Sequence, residues 1–267
     1  MSMSLLAWIT LFCVIGGVLS VVAAGAFLVL PQAWRTRALP HMVSFAVGAL
    51  LGAAFLGLLP HALAGAGPEQ LHLISAWVLL GILIFFLLEK LVLWRHCHTT
   101  HCEVHGHEEH AVPHKNHAHT TSGALVIFGD AVHNYIDGML IGAAFMTDIH
   151  LGVVTSLAVA AHEIPQELGN FAVLLESGYR RARAFSVSVA SSFATVAGGL
   201  TAYFALAGVA AVLPYVLAVA ASSFIYVAVA DLIPGLHQRA ELRATVQQTV
   251  LIASGVVVIF VAHTLLH

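Results

Sequence analysis

Residues 73–88 read LISAWVLLGILIFFLL, sixteen positions without one charged side chain. A water-soluble domain has no surface on which such a segment can rest, whereas a helix crossing the ~30 Å hydrocarbon core of a bilayer needs about 20 mostly apolar residues. Comparable stretches recur along the chain. Eight membrane spans are predicted, over 4–30, 41–63, 71–94, 122–146, 151–176, 184–209, 212–235 and 246–265. They are too long and too evenly apolar for barrel strands, which alternate over about ten residues. Helices satisfy their own backbone groups in lipid. Only 9% of the residues are charged, against roughly 25% in a soluble globular protein. The expected fold class is an all-α integral membrane protein with eight transmembrane helices. Residues 1–267 form a single transmembrane domain in this reading, interrupted by a polar loop over 96–119.

The ten Lys and Arg residues set an orientation. Arg35 and Arg37 fall between spans 1 and 2, and Lys90, Arg95 and Lys115 at or in the connection between spans 3 and 4. Arg180, Arg181 and Arg183 fall between spans 5 and 6, and Arg239 and Arg243 between spans 7 and 8. The opposite connections contain none. Basic loops stay in the cytoplasm, so both termini are expected outside. The opening MSMSLLAWIT lacks the basic start of a cleavable leader and reads as the beginning of the first span. The compact chain suggests a bacterial inner membrane, with the termini periplasmic.

Half of the 18 histidines lie in residues 96–119: His96, His98, His101, His105, His107, His110, His114, His117 and His119. Neutral imidazole is a common ligand for zinc, copper and nickel. Cys97 and Cys102 share the loop and add thiols of the kind that bind metal, while Cys13 lies in an apolar segment. Three cysteines make no disulfide framework. The loop is expected to buffer or sense metal on the cytoplasmic side.

Two polar clusters interrupt the oil: HNYIDG at 133–138 and HEIPQE at 162–167. Ionisable groups at membrane depth are costly and point to function. Span 4 enters from the cytoplasm and span 5 from outside, and His133 and His162 each lie about 18 Å in, at 1.5 Å per residue. Both clusters thus approach the middle of the bilayer. His133 and Asp137 are one helical turn apart, as are Glu163 and Glu167, so each pair shares a face. Asn134 and Asp130 extend the polar stripe of span 4. Pro165 should bend span 5. Two imidazoles, three carboxylates and an amide from adjacent helices make one or two sites for a divalent cation. Histidine with carboxylate suits zinc and its first-row neighbours rather than calcium or magnesium. A proton relay is the other functional reading of such residues, but it has no use for a histidine-rich loop. HEIPQ is not a HExxH metalloprotease helix, because Gln166 replaces the second histidine and Pro165 interrupts the turn. Asp130, Glu176 and Asp231 lie towards the cytoplasmic ends of their spans and are candidates for an exit path. Taken singly, Asp231, His61 or Glu176 could equally serve to bond a neighbouring helix.

At these residues the chain resembles the ZIP family of divalent metal transporters. HNYIDGMLIGAAF is similar to that family's fourth helix and HEIPQELGNFAVLL to its fifth, in the histidine-rich branch that usually reads HEIPHELGDFAVLL. Weaker likenesses run through SFAVGALLGAAFLGLLPHAL, LLEKL and LAVAASSFIYVAVADLIPGL. The resemblance implies helices 1–3 and 6–8 as inverted repeats around helices 4 and 5, with a metal site between those two. It implies a primary site of His133, Asp137, His162 and Glu167, and a second of Asn134, Asp137, Glu163 and Glu167. Some members add a carboxylate from helix 6, where this chain has Thr195; Gln166 and Asn170 also depart from the branch pattern. The chain is expected to be a transporter and not an enzyme. It would carry Zn2+, or Cd2+, Mn2+ or Fe2+, into the cytoplasm by alternating access. It has no nucleotide motif and needs no cofactor. A metal sensor or an exporter are the alternatives. Expected partners are divalent metal ions and the lipid bilayer, with no nucleic acid, and a homodimer is the candidate assembly.

Overall fold

Helices account for every long element of the computed structural model, which describes residues 3–97, 118–237 and 241–266. They are α1 (Leu5–Phe27), α2 (Gln32–Ala66), α3 (Leu71–Cys97), α4 (Ala118–Thr147), α5 (Ile149–Glu176), α6 (Arg181–Leu206), α7 (Ala210–His237) and α8 (Leu242–Leu266). No strand occurs among the described residues. Seven of these helices are long and apolar enough to cross a membrane. The remaining one, α5, has 28 residues, ample for a crossing; His162, Glu163, Gln166 and Glu167 lower its hydropathy.

The turns follow the sequence signals with one difference. Gly67, in the AGAGPEQ turn after α2, and Gly178, after α5, adopt φ of 82° and 87°, the left-handed conformation that ends helices and favours glycine. By contrast, α2 begins at Gln32, ahead of the predicted start at 41, and runs through Pro40. A proline inside a helix removes one backbone hydrogen bond. Here it does so in an exposed first segment, where Trp34 and Arg37 face outward and water can serve the freed carbonyl.

The packing order reveals an internal repeat. α2 packs along α8 and α3 along α7; α4 packs along α6 and α5 along α1. Exchanging 1 with 6, 2 with 7, 3 with 8 and 4 with 5 maps each of these pairs onto another. The local structure repeats too. α2 widens into a π-turn at Ala53–Leu58 and α7 at Val227–Leu232, and each is followed two residues later by a proline, Pro60 and Pro234. In both, the residue after the turn bonds five residues back, Leu59 to Ala54 and Ile233 to Ala228. A proline ring clashes with the carbonyl four residues before it, and a π-turn there relieves the clash while keeping the helix continuous. The fold is thus a 3+2+3 arrangement with α4 and α5 at its centre.

Close approach fixes α4 against α6. A Cβ placed on Gly138 would collide with the Thr195 carbonyl, and one on Gly198 with the Tyr135 carbonyl. In lipid, helices associate through such packing rather than through hydrophobic exclusion. A shared apolar core, with Ile9, Leu50, Phe145, Leu151 and Phe224 fully or almost fully buried, surrounds the two central helices. Leu79, Leu83 and Leu87 of α3 are about half exposed, as a lipid-facing surface should be.

Candidate metal centre

α4 and α5 bring four side chains to one point. His133 and Asp137 come from successive turns of α4, and His162 and Glu163 from adjacent positions of α5. His133 Nε2 lies 3.3 Å from His162 Nε2, 3.6 Å from Asp137 Oδ2 and 3.6 Å from Glu163 Oε1. His162 Nε2 lies 3.1 Å from Asp137 Oδ2. Ligands about 2.0–2.1 Å from a tetrahedral zinc stand roughly 3.3–3.4 Å from one another. The observed separations bracket that value.

The hydrogen bonding also calls for a cation. His162 Nδ1 lies 3.1 Å from the Ala158 carbonyl, which can only accept, so Nδ1 carries a proton and, in the neutral ring, Nε2 presents a lone pair. That lone pair faces Asp137 Oδ2, itself an acceptor. Apart from the imidazoles of His133 and His162, no donor among the described residues reaches Asp137 Oδ2, either oxygen of Glu163 or Oε1 of Glu167. Asp137, His162 and Glu163 are at most 1% exposed. Buried carboxylates whose nearest partners are neutral imidazoles are expensive, and a positive ion among them removes the cost.

One turn away stands a second polar group built on Asp130. Its Oδ1 accepts from Asn170 Nδ2 at 2.8 Å and its Oδ2 from the Ser191 hydroxyl. The Glu167 carboxyl lies against that of Asp130 and beside Ser188. Asn134 donates to the Asp130 carbonyl at 3.1 Å and accepts from Thr195 Oγ1 at 2.8 Å. Of the six residues singled out in α4 and α5, four converge on one point, while Asn134 and Glu167 lie with Asp130. Asp130 itself is 6% exposed; Glu176, at the end of α5, and Asp231, in the π-turn of α7, are exposed. Ser188 and Ser191, not among the expected site residues, join this group from α6. Their signal was the spacing of Ser188, Ser191, Ser192 and Thr195 along α6, a polar stripe at helical period. His98, His101, His105, His107, His110, His114 and His117 lie outside the described residues, as do the side chains of His96 and His119.

The family model described as ZIP zinc transporter matches residues 2–263. The chain belongs to the ZIP family. Among curated relatives it is 30% identical to zinc transporter ZIP13 of Pongo abelii, over 93% of this chain and 77% of that protein. It is 29% identical to zinc transporter ZIP13 of Homo sapiens, over 85% and 70%. A shorter match, 44% identical, covers 42% of this chain and 17% of zinc transporter ZIP4 of Mus musculus. These relatives are named as transporters, not enzymes, and the family carries zinc or similar divalent metal as its substrate. At Asn170, where the resemblance led to the expectation of an aspartate, the side chain donates to Asp130. An aspartate there would face Asp130 as a second carboxylate, whereas the amide donates to it. Thr195 of α6 spends its hydroxyl on Asn134.

Proposed function

We propose that the chain imports zinc, or a closely similar divalent ion, through the centre formed by His133, Asp137, His162 and Glu163. Two groups that accept when the ring is neutral, His162 Nε2 and Asp137 Oδ2, held 3.1 Å apart in a buried site, carry this reading, because a cation is what such a pair lacks. Glu167 and Asn134, one turn further on, receive the ion as it leaves. Asp130, Glu176 and Asp231 mark its exit. Transport proceeds by alternating access: the repeated halves around α4 and α5 open the site to one side and then to the other. Ligand exchange suits this path, since each carboxylate can take over from an imidazole without the ion passing through bare hydrocarbon.

The basic connections set the direction in this proposal. They place the termini outside and the loop 96–119 in the cytoplasm, where its nine histidines hold metal that has crossed. Growth tests the direction. A cell lacking its own high-affinity zinc uptake regains growth in scarce zinc when it expresses the chain, and loses that gain with Asp137→Asn. Resistance to excess zinc, without rescue in scarcity, would identify an exporter instead.

A further inference from the structure

A second site lies away from the metal centre. At the basic end of the molecule, the last turns of α1, the start of α2, the end of α5 and the start of α6 enclose a cavity of 660 Å³, within the range of small-molecule pockets. Its walls are apolar, with Val22, Leu28, Phe171, Leu175 and Phe185 among them, and its charged lining consists of Arg35 and Arg181. Arg35 Nε is buried, and no hydrogen-bond acceptor among the described residues reaches it. A neighbouring arginine is engaged differently: the Arg183 guanidinium lies 5.4 Å from the centroid of the Tyr179 ring. The cavity is open on its lipid side, since Val22 is 42% and Val29 86% exposed.

We infer that this cavity binds one acidic phospholipid, its phosphate between Arg35 and Arg181 and an acyl chain along Phe171, Leu175 and Phe185. Two guanidinium groups lining one cavity, one of them with a buried, unbonded Nε, favour an anion, and phosphate is the group their planar forks match. An apolar floor open towards lipid selects an anion that carries a hydrocarbon chain. A zwitterionic headgroup would bring an ammonium to a site that already holds two positive charges. Basic pockets between membrane helices recognise acidic headgroups on these grounds. The inference rests on the membrane placement of the helices and not on the transport cycle.

Native mass spectrometry of the full chain in detergent tests it, with phosphatidylglycerol and phosphatidylcholine of identical acyl chains added in turn. Wild type is expected to retain one phosphatidylglycerol and to release phosphatidylcholine. Arg35→Gln with Arg181→Gln should weaken retention at least tenfold. Leu175→Trp, which fills the apolar wall and leaves both arginines in place, should do the same. Arg180→Gln should leave it unchanged. Equal retention of the two lipids would overturn the proposal, as would undiminished binding by Leu175→Trp. Displacement of phosphatidylglycerol by millimolar inorganic phosphate would also overturn it, by showing a site for the anion alone.

Discussion

At the scale of single residues, the centre is a set of lone pairs without protons to share. His162 commits Nδ1 to Ala158 and turns Nε2 towards Asp137, so metal and proton compete for the same nitrogen. An imidazole must be neutral to coordinate. Zinc binding should therefore weaken as pH falls from about 7.5 to 5.5, the range in which histidine titrates. Calorimetric titration of purified protein at several pH values measures this, and affinity that stays flat would exclude the two histidines as ligands. Asp137→Asn keeps the shape and removes the charge. It should weaken zinc binding by at least about tenfold, the scale on which ligand-shell changes act, with the helical circular dichroism unchanged. The residue types and their spacing were legible in HNYIDG and HEIPQE. The choice of Glu163 rather than Glu167 as the fourth converging group was not, because two residues one turn apart on α5 differ only in which turn of α4 they meet.

At the scale of elements, α4 is held by α6 as much as it is aligned with α5. Gly138 and Gly198 let the backbones approach, and the Thr195–Asn134 bond closes the contact from within. Gly138→Ala should therefore lower thermal stability, by about 1–3 kcal/mol, as overpacking of a tight interface does. A melting temperature equal to wild type would mean that the two helices have slack. Thr195→Val keeps the shape but leaves Asn134 Oδ1 without its donor, a loss of about 1–3 kcal/mol for a buried polar atom, readable in the same melting experiment. Apolar length was enough to find the helices. Which helix each glycine faces could not be read from the chain, since periodicity defines a face and not its neighbour. The start of α2 at Gln32 was hidden for a related reason: Pro40 looks like a boundary until the exposed segment before it is seen to continue the helix.

At the scale of the whole molecule, two repeats surround a central pair of helices, and the repeat is visible in matched π-turns followed by Pro60 and Pro234. Those prolines stood in the sequence, two residues after AAFLGL and VAVADL; the widened turns did not, because a π-turn has no residue signature of its own. The loop 96–119 adds binding capacity without forming the path in this proposal. Replacing its nine histidines with serine should lower the number of zinc ions bound per chain and leave the entry of zinc into vesicles saturable. If zinc entry stopped, the loop would belong to the path itself.

The central claim is that an ion crosses the membrane through the convergence of α4 and α5. Zinc entry into nucleotide-free proteoliposomes, reported by a trapped zinc indicator, measures it directly. Wild type is compared with Asp137→Asn combined with His162→Ala, both checked for equal incorporation. The expected result is saturable entry by wild type and entry at the level of empty vesicles by the variant. Equal entry by both proteins would place the path elsewhere, and wild-type protein that binds zinc yet passes none would make the centre a sensor rather than a route.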